Sequence, residues 1–310
     1  MLSTAALLTG ATDSPPDLAA FLSPASQAGT ILPVTALLLA ALYVSGVVRL
    51  RWQRRRWSLV RSVCFLLGCA ILFLTTGSGV ESYGRELLSV FIFQQLTLMM
   101  IVPPLVLLGA PGTLLLRATP HSVIGRPALR GALGALRSRT ARRAFHPAVF
   151  IPLLLVTFFG LYPTGVASGV LSSRAGHIAL EICFLAIGLF LNAPLISPDP
   201  LPRRTSPIMS IVDRFAEMQI HAAFGLVMIF APTILVSTYA SPPPTWGIDA
   251  LRDQALAGAF AWTYGELPVI VMLIIALVRW QKSDTRRSNR SRAEEEDALS
   301  RYNDYLQRLK

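Results

Sequence analysis

The sequence predicts an all-α, polytopic membrane protein of seven transmembrane helices, with the N-terminus outside and the C-terminus in the cytoplasm. Three observations predict it. Apolar runs of roughly 20 residues, the length that crosses a hydrocarbon core as a helix, recur seven times along the chain. The 310 residues are 53% apolar with a mean hydropathy of +0.54, too high for an ordinary soluble domain of this length. Arginine-rich connecting stretches alternate with stretches almost free of basic charge, and each change falls across one of the apolar runs.

Residues 1–30 contain no Lys or Arg, so they lack the basic start of a cleavable signal peptide and read as an exported N-terminal extension. Pro15, Pro16 and Pro24 discourage a long helix there. The seven-span membrane domain, 31–279, follows, with its runs at 31–49, 57–76, 87–109, 147–170, 175–197, 215–238 and 257–279. Arg49, Arg51, Arg54, Arg55 and Arg56 separate the first two runs. Arginines from Arg117 to Arg143 separate the third and fourth, and Arg203, Arg204 and Arg214 follow the fifth. The opposite face holds only Arg85, Arg174 and Arg252. Basic bias marks the cytoplasmic side, which fixes the orientation. Within the third loop, Leu129, Leu133 and Leu136 recur near helical spacing among arginines over 126–145. That pattern predicts an interfacial amphipathic helix, with a basic loop as the alternative because Gly131 and Gly134 weaken helix formation. The tail, 280–310, is polar through Asn289 and then helical, with i,i+4 pairs Asp297–Arg301 and Asp304–Arg308.

Composition excludes several functions. A net charge of +11 points to nucleic acid only when it gathers on one soluble face. Here every Lys and Arg except Arg61, Arg85, Arg174 and Arg252 falls in the four cytoplasmic segments, where it sets topology and meets anionic membrane lipid. Cys64, Cys69 and Cys183 lie in apolar runs without C-x-x-C spacing, which supports neither a disulfide framework nor a thiolate copper shuttle. A retinal Schiff base needs an intramembrane lysine, yet Lys282 and Lys310 are both in the tail. With no nucleophile–base pair or two-metal cluster at matching depth, the chain does not read as an enzyme.

Ionisable groups inside a membrane are costly enough to mark functional positions. At about 1.5 Å per residue, Gln94 and Gln95 in the third run, Glu181 in the fifth, and Tyr264 with Glu266 in the seventh form one polar layer below the outer face. His177 sits one turn above Glu181 on the same helix face. Imidazole and carboxylate can ligate a transition metal, and the same polar groups can equally bond helix to helix. A second layer near the inner face holds Pro103-Pro104, Asn192 and His221, too deep for His221 to share an ion with His177. The two prolines remove backbone donors, so the third helix should loosen there.

In this order and spacing, QQLTLMMIVPPLVLLGAP (Gln94 to Pro111), His146-Pro147, GHIALEICFLAIG (Gly176 to Gly188), NAPLISPDPLP (Asn192 to Pro202), MQIHAAFG (Met218 to Gly225) and the tail ALSRYNDYLQRL resemble the CtaG-like (caa3-type) family of cytochrome c oxidase assembly factors. The resemblance implies a seven-span protein of the plasma membrane that acts with oxidase subunits of the respiratory chain and handles copper. It carries His177 and His221 over as metal positions, with Glu181 beside the first. Family members commonly carry an H-x-x-x-H pair in the third span, where this chain has Phe91 and Gln95. The competing expectation is a small-solute or metal-ion transporter. That fold favours paired broken helices in an internal repeat, and the sequence offers one broken helix without a counterpart.

Overall fold

The computed structural model describes residues 15–24, 31–119, 131, 149–199 and 206–308, and the segment proposed as an interfacial helix lies outside them, apart from Gly131. The described residues form helices and turns, with no strand beyond an isolated bridge between Pro24 and Ser78. Five helices are long and apolar enough to cross a membrane: Ile31–Trp52, Leu59–Gly77, Leu88–Ala118, Arg174–Ile196 and Ala250–Tyr302. Large apolar side chains such as Leu37, Leu42, Val60, Val63, Leu267 and Ile274 point outward from these helices. That surface suits lipid, since in water it would be a large exposed apolar patch.

Helix α1, Leu18–Leu22, is capped by Asp17, whose carboxylate accepts from the Ala20 N–H at 2.6 Å. Helices α2, Ile31–Trp52, and α3, Leu59–Gly77, pack as a hairpin around Tyr43, which stacks on Phe65 at 4.0 Å and donates to the Gly109 carbonyl at 2.8 Å. A five-residue helix, α4, Gly79–Tyr83, then turns the chain under α1. Gly79 is needed at that crossing, because a Cβ there would stand 2.0 Å from the Ala20 carbonyl oxygen.

The central span is three pieces: α5, Leu88–Leu96; a π-helical turn, Thr97–Ile101; and α6, Val102–Leu108. The π turn lies just ahead of Pro103-Pro104, where two missing N–H groups break the regular ladder, as the sequence predicts. This span is the axis of the bundle: 72% of its apolar stretch is buried, whereas the other four bury 22–39% of theirs. Ala110 then adopts a left-handed conformation, φ 51°, and opens α7, Pro111–Ala118. The N-terminus of α7 is capped from far along the chain. Asp199 accepts from Gly112 N at 2.8 Å, Thr113 N at 2.6 Å and the Thr113 hydroxyl at 2.5 Å.

The run expected as one span over 147–170 is divided. Helix α8, Phe150–Leu155, continues through a π turn, Val156–Gly160, then breaks, and α9 covers Val166–Leu171. Pro163 and Gly165, at φ 78°, supply the break. Helix α10 is Arg174–Ile196. Helix α11, Pro207–Phe230, begins and ends eight residues before the expected 215–238. Ser206 caps it through Met209 N at 3.2 Å with Pro207 at the first position, and Pro232 follows its end. Helix α12, Ala250–Arg308, is continuous for 59 residues, so the polar stretch after Trp280 is helical and not the interruption the composition implied. Its side chains from Gln281 to Tyr302 are exposed, and Arg301 Nε bonds the Asp297 carbonyl in place of its carboxylate.

The two ends of the bundle are tied by buried polar groups. Asp253 on α12 accepts from Leu88 N at 2.7 Å, from Ser89 N at 3.3 Å and from the Ser89 hydroxyl, which caps α5 and sets its register. Gly188 on α10 meets the π turn so closely that a Cβ would stand 2.3 Å from the Met99 carbonyl oxygen. Asn192, one turn on, donates to the Gly188 carbonyl at 2.8 Å.

Candidate metal centre

The short helix α4 cannot span a bilayer, and it turns Glu81 inward at the junction of α3, α5 and α10. The Glu81 carboxylate is 1% exposed. Arg85, one turn along, donates to its Oε1 at 2.5 Å, and Gln94 on α5 donates to its Oε2 at 2.7 Å. Gln94 also donates to the Thr75 carbonyl at 3.3 Å and to Glu181 Oε1 on α10. One amide thus draws two carboxylates of distant helices together.

His177 completes the cluster. Its position rests on the α9–α10 turn, where Ser173 caps Gly176 N at 3.0 Å and a Cβ on Gly176 would stand 1.8 Å from the Val170 carbonyl oxygen. From there Nε2 faces Glu81 Oε2 at 3.6 Å and Glu181 Oε1 at 3.9 Å, while the ring leans on Phe91 with centroids 5.2 Å apart. His177 and Glu181 are each 2% exposed. Burial by itself would raise the Glu81 carboxyl. The neighbouring His177, Glu181 and Arg85 together outweigh it and hold the group well below the usual carboxylate range.

The donor set fits a metal ion. One ligand atom each from Glu81, His177 and Glu181 all lie within 4.8 Å of one another, so a small inward movement of the side chains would bring all three within about 2 Å of a common ion. His177 Nε2 is buried without a hydrogen-bond partner, and Gln94 Oε1 is too. Arg85 offsets the charge of Glu81 and can orient it as an outer partner of a ligand. The oxygen-rich set suits Cu(II) or another divalent ion better than Cu(I), which prefers soft sulfur.

Of the residues expected in the outer layer, the structure brings together Gln94, His177 and Glu181. Gln95 points elsewhere and accepts from the Tyr162 hydroxyl. Tyr264 shares a 2.9 Å hydrogen bond with Thr97. Glu266 is partly exposed, and no hydrogen bond or ion pair joins it to the cluster. His221, fully buried, packs edge-on to Phe158 with ring centroids 4.8 Å apart, and lies outside the three-residue group. Glu81 is the member of the cluster that the sequence alone does not single out. Its i,i+4 spacing to Arg85 marks a local pair but says nothing of burial.

Fold and cluster together define a class: an all-helical membrane protein with a buried histidine–carboxylate group at the junction of its spans. Residues 41–283 match the family described as cytochrome c oxidase caa3 assembly factor, and the chain belongs to that family. It is similar to uncharacterized proteins of Mycobacterium bovis and Mycobacterium tuberculosis, each 32% identical over 288 residues, and of Mycobacterium leprae, 33% identical over the same length. These matches take in 90% of this chain and 44% of each relative, so the chain spans less than half the length of the curated relatives it matches. No solved structure matches it.

Proposed function

We propose that this protein is a plasma-membrane assembly factor for a haem-copper cytochrome c oxidase, non-enzymatic, that receives copper at Glu81, His177 and Glu181 and presents it to oxidase subunits. The single observation behind the metal role is the buried His177 Nε2, unpartnered and facing two carboxylates from separate elements. In this reading α2, α3, α5–α6, α8–α9, α10, α11 and α12 make seven crossings, with α4 at the outer surface and the arginine-rich ends in the cytoplasm. Copper is cargo here, so a site with one imidazole and two carboxylates is suited to release as well as to capture. Its affinity should be below that of a several-histidine site, in keeping with Phe91 and Gln95 at the positions of the family's histidine pair.

The test has two arms. Purified protein should carry copper in proportion to an intact cluster, with His177→Ala depleted. A deletion strain should lose assembled oxidase activity with oxidase transcription and haem supply unchanged, and added copper should restore part of it. Normal oxidase spectra in the deletion strain would refute the assembly role, whereas normal assembly by a metal-free His177→Ala variant would refute only the copper step.

A further inference from the structure

At the opposite end of the bundle from Glu81 lies a second buried charge with no part in the metal cluster. Arg214 on α11 is 2% exposed, stacks its guanidinium over the Phe150 ring at 4.8 Å, and pairs through NH1 with Glu217 at 2.5 Å. Its Nε and NH2 have no hydrogen-bond partner. Both nitrogens belong to a residue in the wall of a cavity of about 60 Å³, shared with Ser210 and with Arg279 of α12. A buried guanidinium with undonated N–H groups is strongly unfavourable unless an acceptor meets it.

Arg279 also lines an adjoining groove of about 450 Å³, which runs along the Pro194–Pro198 segment to Arg61 on α3. It is held there by donating to the Leu195 carbonyl. Arg61 is anchored as well, over the Trp57 ring at 5.3 Å. The acidic groups near these arginines are already engaged or buried: Glu217 takes Arg214 NH1, Asp199 caps α7, and Asp213, 4% exposed, lies beside Arg214 on α11. Three arginines from three helices therefore converge on two connected cavities at the arginine-rich end of the bundle, with Leu195 and Ile196 lining both.

We infer that this is a binding site for the phosphate headgroup of an anionic phospholipid, with Arg61 and Arg279 holding it in the groove and Arg214 donating to its oxygens in the inner cavity, beside the wall that Ser210 supplies. Forked guanidinium donors match phosphate oxygens bidentately, and basic pockets between helices at a membrane surface are where such headgroups lodge. Cavity size agrees, since room for one water is roughly 10–15 Å³ and about 60 Å³ admits a small tetrahedral oxyanion. The inference needs neither copper nor the oxidase.

Full-length protein in a neutral detergent should gain thermal stability from phosphatidylglycerol but not from phosphatidylcholine. Arg279→Gln and Arg61→Gln should each weaken that binding by about tenfold, the loss expected for one charge-assisted pair. Arg214→Gln is the direct probe of the inner cavity. Because it removes a buried ion pair, Ser210→Val serves beside it, filling the cavity while leaving every arginine in place, and should also weaken binding. Equal stabilisation by both lipids, or unchanged binding in the Arg279 and Arg61 variants, would overturn the site. Equal stabilisation by inorganic phosphate alone would overturn the lipid assignment.

Discussion

His177 on α10 holds its Nε2 3.6 Å from Oε2 of Glu81 on α4, although 95 residues lie between them in sequence. The contact exists because two glycines allow close backbone crossings, Gly79 under α1 and Gly176 under α9, and because Gln94 bridges the carboxylates of Glu81 and Glu181.

If this contact is a ligand set, copper affinity depends on both sides of it. His177→Ala, Glu81→Gln and Glu181→Gln should each lower affinity by roughly 10–100-fold, while His221→Ala leaves it intact. Anaerobic Cu(I) and aerobic Cu(II) titrations of the four variants measure this. Loss confined to His221→Ala would show that the ion sits elsewhere.

Acid should weaken the Glu81 end of the bundle in a defined direction. The folded Glu81 carboxyl lies below its unfolded value, so its ionised form stabilises the fold above about pH 4.3, the ordinary glutamate value, and that contribution is lost as pH falls further toward the folded value. Thermal unfolding from pH 7 to 3 should show wild type losing stability faster than Glu81→Gln below about pH 4. Parallel curves would contradict the ion-paired state of Glu81.

Gly188→Ala should destabilise the protein by about 1–3 kcal/mol, because the new methyl meets the Met99 carbonyl and must push α10 off the π turn. Thermal melts in detergent are the check, and a variant as stable as wild type would mean that the helices can separate freely there.

Asp199→Ala should cost about 0.5–2 kcal/mol by uncapping α7, and any copper affinity at Glu81, His177 and Glu181 should be unchanged, because those residues share no hydrogen bond with Asp199. The same preparations serve for both measurements.

Cysteines introduced at Ser172 and Arg137 should label from outside and inside respectively, as the arginine asymmetry requires. Reversed labelling would place the metal cluster on the cytoplasmic side.

The all-helical, membrane-crossing character was legible because hydropathy and run length depend on solvent alone. Pro103-Pro104 announced the loosened π turn, and the i,i+4 spacing put His177 and Glu181 on one face. Glu81 was not legible, since counting depth along spans treats everything between Gly77 and Leu88 as water-exposed, and only the fold reveals that α4 turns inward. Gln95 stands apart from the cluster and accepts from the Tyr162 hydroxyl. Adjacent side chains on a helix diverge by about 100°, so Gln94 and Gln95 cannot face one cluster. Asp199 and Asp253 act as caps for helices more than 80 residues away, a pairing no local pattern encodes.

The unbroken α12 has a mechanical consequence. At about 1.5 Å per residue its 59 residues reach roughly 90 Å, about three times the thickness of a hydrocarbon core. One end carries Asp253, which grips the first turn of the axial helix six residues before Gln94, and the other is an exposed rod bearing Leu299 and Tyr302. A pull or twist on the rod therefore runs along a single backbone to the helix whose Gln94 holds the carboxylates of Glu81 and Glu181 together.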